Sequence, residues 1–163
     1  SEVGKGSTFT IELPVTNLGK EVIVQKVYET VKTLISNVPL SRKPKILYVE
    51  DDVIALSYVD KVLRSQYEID TAFNASIALD LANKNKYEAV LLDINLGKGI
   101  DGVELMQMMR KIDGYVQIPM VAVTAYAAQS DKIEFLAKGF THYISKPFTR
   151  NQLLTLLKDV LSN

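Results

Sequence analysis

The chain has no cysteine, which excludes disulfides and thiolate zinc sites and is compatible with a reducing compartment. It has no excess of either charge, with 19 basic residues against 19 acidic ones. Nothing in that balance points to nucleic acid or a membrane surface as a partner. Long apolar runs are missing too: the longest, Met120 to Ala128, includes Thr124 and is too short to span a bilayer. The first residue is Ser1, with no signal-like apolar segment after it. We therefore expect a fragment of a longer protein, its 163 residues giving one ordinary domain and an appendage.

What is present concentrates around Ala89-Val90-Leu91-Leu92-Asp93-Ile94-Asn95. An apolar run ending in a carboxylate reads as a strand buried on both faces with a charged tip. Such a charge is costly unless something pairs with it. Two partners come from elsewhere in the chain: Glu50-Asp51, which follow the apolar run Lys45 to Val49, and Lys146, which follows Tyr143-Ile144-Ser145.

Residues 1–14 combine a glycine turn with the alternating segment Phe9 to Leu13, stopped by Pro14. Gly4-Lys5-Gly6-Ser7-Thr8 invites comparison with a phosphate loop but lacks its spaced first glycine and its Gly-Lys-Ser/Thr order. The stretch resembles the last glycine box and closing strand of the ATP-binding domain of sensor histidine kinases. That resemblance implies a terminal strand remnant of such a domain. With the rest of a nucleotide pocket missing, no ATP binding is expected.

Residues 15–44 read as a linker, expected to be partly helical: Val24, Val27, Tyr28, Val31, Leu34 and Ile35 recur at helical spacing. The helix could lie on its own domain. Alternatively, residues 20–36 could pair with a second copy as a homodimer, because the spacing is close to a heptad. Glu21 to Val24 could instead form a short strand.

From 45 to 163 strand and helix patterns alternate. Ile46–Val49, Val90–Ile94 and Met120–Val123 are continuous apolar runs expected at the centre of a sheet, and Tyr67–Ala72 and His142–Ser145 alternate as edge strands do. Helices are expected over Val53–Ser65, Ala75–Lys86, Gly102–Ile112, Asp131–Lys138 and Arg150–Leu161. Asn74 and Ser130 are the expected N-caps, Gly139 follows the fourth helix, and Thr149 to Gln152 reads as a capping box. Met106, Met108 and Met109 read as helix packing. Asp52 is expected to begin the first helix. Strict alternation implies an α/β fold, a five-stranded parallel sheet wound on both faces. In such sheets the ligand crevice lies beyond the carboxyl ends of the strands. Glu50, Asp51, Asp93, Thr124 and Lys146 all fall on that edge.

In this order, Ile46-Leu47-Tyr48-Val49-Glu50-Asp51-Asp52, Leu91-Leu92-Asp93-Ile94-Asn95-Leu96, Asp101-Gly102, Val123-Thr124-Ala125 and Ser145-Lys146-Pro147-Phe148 resemble the receiver domain of two-component response regulators. The resemblance runs from Lys45 to Asn163. It implies a flavodoxin-like sheet of order 2-1-3-4-5 and a phosphoacceptor switch rather than an enzyme. Asp93 would accept the phosphoryl group, with Mg²⁺ held by Glu50, Asp51, Asp93 and the backbone carbonyl of Asn95. Thr124 and Lys146 would bind phosphoryl oxygens, Ala125 would leave the approach open, and Tyr143 would be the aromatic switch. The Glu-Asp pair is a form often met in receivers attached to kinases. With the remnant at 1–14, this points to a hybrid sensor histidine kinase as the parent, expected to be cytoplasmic, with tethering to a membrane through its missing part as the alternative.

His142, the one histidine, reads as a surface or partly packed edge-strand residue. The donor would therefore be a separate histidine kinase dimerisation/phosphotransfer domain, with a histidine phosphotransfer protein as a possible acceptor downstream. The loop over 94–100 is one residue longer than the common receiver form and lacks its usual proline. Its conformation and its effect on phosphate lifetime are accordingly not set by the resemblance. Lys98 in it could reach the phosphate or remain a solvated loop lysine. Two rival functions are a receiver-like interaction module that never turns over phosphate, and an aspartate-nucleophile phosphatase. The phosphatases usually carry a second Asp where this chain has Asn95.

Overall fold

The structure, a computed structural model, describes residue 11 and residues 42–97, 99–125 and 129–162, with the side chains of 129 and 130 left out. The readings placed on 1–14 and on the linker therefore fall outside the described residues, apart from Ile11 and residues 42–44, and so does Lys98. The chain divides into two units, residues 1–42 and the unit from Lys43 onward, which carries the sheet.

Five parallel strands form one sheet in the order β2-β1-β3-β4-β5. They are β1 Lys45–Val49, β2 Glu68–Ala72, β3 Ala89–Asp93, β4 Met120–Thr124 and β5 His142–Ser145. The continuous apolar runs are the central strands, and every residue of β3 and β4 is buried. The edge strands β2 and β5 are partly exposed, as their polar alternation predicts. This is the expected flavodoxin-like α/β fold.

Helices cover both faces. On one side, α1 Val53–Leu63 and α5 Arg150–Ser162 bury Val59, Val62, Leu63, Leu153, Leu157 and Val160 against Ile46, Tyr48, Leu91 and Val123. On the other, α2 Ala75–Lys84, α3 Gly102–Met109 and α4 Gln129–Lys138 cover Leu47, Val90, Leu92 and Ala122. Each fully buried Leu, Val or Met contributes roughly 1.5–3 kcal/mol, so these two apolar layers hold the strand tips in place.

Local signals set most helix starts. Asn74 Oδ1 accepts from the Ile77 amide at 2.9 Å, and Asp52 Oδ1 accepts from the Ile54 amide at 2.8 Å. At α5 the capping box is reciprocal: the Thr149 amide donates to Gln152 Oε1 at 2.8 Å, and the Gln152 amide donates to Thr149 Oγ1 at 3.3 Å. Gly139, with φ 111°, ends α4.

Several expectations need correction. The first and second helices stop at Leu63 and Lys84, each two residues short of the expected Ser65 and Lys86. Ser130 is not an N-cap, because α4 begins at Gln129 and places it in the first turn. The third helix stops at Met109 rather than Ile112. There the chain tightens into i to i+3 bonds, and the Arg110 guanidinium donates to the carbonyls of Tyr115, Val116, Ile118 and Gly139, which competes with further helix. Met108 is 38% exposed and packs no core, since only Met106 and Met109 fall on the inward face.

Candidate functional site

The parallel sheet brings the carboxyl ends of β1, β3, β4 and β5 to one edge, and each end carries a polar side chain. Asp93 is the last residue of β3 and only 5% exposed. Its place is fixed from behind by Gly102, the first residue of α3. A Cβ there would lie 2.2 Å from the Asp93 carbonyl oxygen, so only glycine lets the helix start this close. Asp101 caps that helix through the Glu104 amide at 2.8 Å, a cap whose signal in the sequence is Asp-x-x-Glu.

Glu50 and Asp51 follow β1. Glu50 is buried and Asp51 is exposed. Lys146 follows β5, and its backbone amide donates to the Thr124 carbonyl at 2.7 Å, which ties it to the tip of β4. Its ammonium group reaches across the edge to Glu50 Oε2 at 2.5 Å and Asp93 Oδ2 at 3.0 Å. The Tyr48 hydroxyl donates to the same Glu50 oxygen at 2.5 Å.

Burial pushes the Glu50 carboxyl above its usual range and the Asp93 charge adds to this, while the bonds from Lys146 and Tyr48 pull it back. Burial alone would lower Lys146, but its two carboxylate partners outweigh that and hold it charged. Burial and the neighbouring Glu50 raise Tyr48 far above an ordinary phenol, so it stays a donor. One cation thus faces two buried acids, with Asp51 at the rim.

The acids form a candidate cation site. Glu50, Asp51 and Asp93 each offer an oxygen, and these atoms lie within 4.8 Å of one another. Oxygens sharing one Mg²⁺ lie at most about 4.2 Å apart, so a small side-chain adjustment would close the group around such an ion. The donor set is all oxygen, which suits a hard cation.

The remaining expected residues distribute as follows. Thr124 is buried at the tip of β4, and Ala125 beside it is exposed. Asn95 is exposed, and its amide approaches Asp93 Oδ1 at 3.4 Å. Tyr143 is half-buried on β5, its ring stacked on Phe135 of α4 with centroids 6.3 Å apart. His142 is partly packed, with Nε2 3.7 Å from Asp159 of α5. In the long loop Gly97 takes φ 73°, and a Cβ there would lie 2.8 Å from Asp51 Oδ2. The sequence reading missed one contributor, Tyr48. Its signal was the i, i+2 spacing from Glu50, which places both side chains on one face of the strand.

A doubly wound parallel sheet with an acidic trio and a lysine at its carboxyl edge defines a class, that of phosphoacceptor signalling domains. The response regulator receiver domain family matches residues 46–158, and the chain belongs to it. Its function is that of a receiver in two-component signalling, a phosphoacceptor switch. The chain is 34% identical over 117 residues to the probable transcriptional regulator ycf29 of Porphyra purpurea, covering 71% of this chain and 56% of that protein. It is 30% identical over 119 residues to the polar-differentiation response regulator DivK of Brucella anthropi, covering 72% and 96%. Among solved structures it resembles the receiver domain of the sensor histidine kinase PA1611 of Pseudomonas aeruginosa, which has a magnesium ion coordinated in its active-site cleft. That likeness has a TM-score of 0.67 and 29% identity, covering 74% of this chain and 98% of that one. The chain spans about half the length of the first curated relatives it matches. Among the described residues no helix is long and apolar enough to cross a membrane.

Proposed function

We propose that Asp93 is the phosphoacceptor, that Glu50, Asp51, Asp93 and the Asn95 carbonyl hold Mg²⁺, and that the parent is a hybrid sensor histidine kinase of the cytoplasm. The observation that carries the site assignment is the Lys146 ammonium bonded to both Glu50 and Asp93, which joins the ends of β1, β3 and β5 into one pocket. For the parent, support comes from the residues 1–14 and from the Glu-Asp pair. The likeness to a receiver that is itself part of a sensor kinase adds to it.

A carboxylate attacking a phosphoryl group meets like charge, so the pocket must supply positioning and positive charge. When bound, the cation neutralises phosphoryl oxygens as charge builds. An Asp93 oxygen forms the new bond to phosphorus while the bond from phosphorus to the donor imidazole nitrogen breaks. The imidazole leaves with that electron pair. Lys146 stands beside the attacked carboxylate as a mobile cation for a phosphoryl oxygen. Thr124 offers a hydroxyl, and Ala125 keeps the entrance small-walled. Drawing Thr124 inward would then bias Tyr143, the second state of the switch. The donor would be a histidine kinase phosphotransfer domain and the later acceptor a histidine phosphotransfer protein or water.

The test is incubation with acetyl phosphate and Mg²⁺, read by ³¹P NMR or mobility shift. One acid-labile phosphate per chain, abolished by Asp93→Asn and by removing Mg²⁺ with EDTA, is the expected result. No phosphate would favour a plain interaction module, and repeated turnover of acetyl phosphate would favour a phosphatase.

A further inference from the structure

Tyr48 is fully buried in the layer beneath α1 and α5, among Val59, Leu63, Val123 and Leu153. For that packing a phenylalanine would serve as well, so its hydroxyl calls for a separate account. A hydroxyl carried into an apolar layer needs a partner. This one reaches a carboxylate of the site, Glu50 Oε2, at 2.5 Å. The Lys146 ammonium occupies the same oxygen. Both donors therefore fall on the same oxygen, Oε2.

Glu50 carries one more rotatable bond than an aspartate would, so its carboxylate has more orientations to lose before it can serve as a ligand. A partner on a long, mobile lysine that also bonds Asp93 does not remove them. A rigid ring clamped in the core does, because its hydroxyl cannot leave without moving the packing around it. We propose that Tyr48 is a positioning residue for the cation, anchoring the Glu50 carboxylate through Oε2 so that Oε1 is the oxygen offered to the metal. The inference rests on the assignment of Glu50 to the ion made above. It makes Tyr48 and Glu50 a unit.

The test is a double-mutant cycle on the full chain, with Mg²⁺ affinity measured by calorimetry and the Mg²⁺ dependence of phosphorylation by acetyl phosphate measured alongside. Tyr48→Phe should weaken Mg²⁺ binding about tenfold, as loss of a group orienting a metal ligand does. The half-saturating Mg²⁺ concentration should rise by the same factor, and the rate at saturating Mg²⁺ should change less than twofold. Glu50→Asp pulls the carboxylate back by about 1.5 Å, one carbon–carbon bond, out of reach of the phenol. In that background Tyr48→Phe should have no further effect on affinity. Wild-type affinity in Tyr48→Phe, or an equal loss in both backgrounds, overturns the proposal. Glu50→Ala separates the two layers of argument. If it weakens Mg²⁺ while Tyr48→Phe does not, the ligand assignment stands and the positioning role falls. If it leaves Mg²⁺ binding unchanged, the assignment fails and takes the positioning role with it.

Discussion

The two edges of the sheet are built from the same parts. At the carboxyl edge Lys146 lies between Glu50 and Asp93, with the Tyr48 hydroxyl on one of the acids. Toward the amino edge Lys45 lies between Glu68 and Asp70, 3.3 and 3.1 Å away, and the Tyr87 hydroxyl donates to Asp70 at 2.6 Å. What differs is water. The Glu50 and Asp93 side chains are 2% and 7% exposed, whereas those of Glu68 and Asp70 are 55% and 31% exposed. Solvated acids cost little to keep charged and contribute little when paired. Buried acids crowded around one lysine are expensive to hold, and such an arrangement persists where a cation or phosphoryl group is to be received.

The largest effect should come from emptying the buried side. Lys146→Ala leaves Glu50 and Asp93 facing each other without a counter-charge, and should cost about 3 kcal/mol of stability in EDTA by urea denaturation. Added Mg²⁺ should restore part of it. A loss no bigger than that of the matching change at Lys45 would break the contrast.

A smaller effect should appear at high pH on the solvated side, where the Tyr115 hydroxyl donates to the Asn85 carbonyl, beside the bond from Lys45 to Asn85 Oδ1. Burial pushes this phenol up to about 12, against about 10 in an unfolded chain. Between those values the unfolded chain has released the proton and the folded chain still holds it. Stability is therefore intact below about 10 and falls as pH rises toward about 12. Tyr115→Phe should reduce that slope in urea titrations across the range by one phenol's share, the rest coming from Tyr48, Tyr67 and Tyr87, which are raised as well, and an unchanged slope would remove Tyr115 as a contributor.

The smallest effect belongs to Lys45→Ala, at most about 1 kcal/mol, reduced further by salt. A cost comparable to Lys146→Ala would mean that exposure is not what separates the two edges.

The same contrast explains what could be read from the chain alone. The apolar runs of β1, β3 and β4 and the acids at their ends were legible, because parallel topology sends every carboxyl end to one edge whatever the loops do. Asn74 and the Thr149–Gln152 box were legible because their bonds span three residues. The amino-edge cluster was not, since Lys45, Asp70 and Tyr87 meet only after the strands pair. Tyr48 stayed hidden for another reason: inside Lys-Ile-Leu-Tyr-Val it counts as one more core residue, and its hydroxyl matters only because Glu50 lies on the same face. Arg110, at the end of α3, bonds carbonyls of the segment that follows the helix and one 29 residues away. Helical periodicity carries no trace of that.

One consequence follows from the bond between the Lys146 amide and the Thr124 carbonyl. It continues the pairing of β4 with β5, so on that side the Thr124 and Lys146 side chains are spaced by adjacent strands, a stiff wall set by the roughly 4.8 Å pitch of any sheet. The opposite wall is loop, with Gly97 hard against Asp51. On the proposed reading, a phosphoryl group on Asp93 would therefore sit between one wall set by strand pairing and one set by the loop, and changes to described loop residues such as Gly97 are the ones that would move a wall without breaking the sheet.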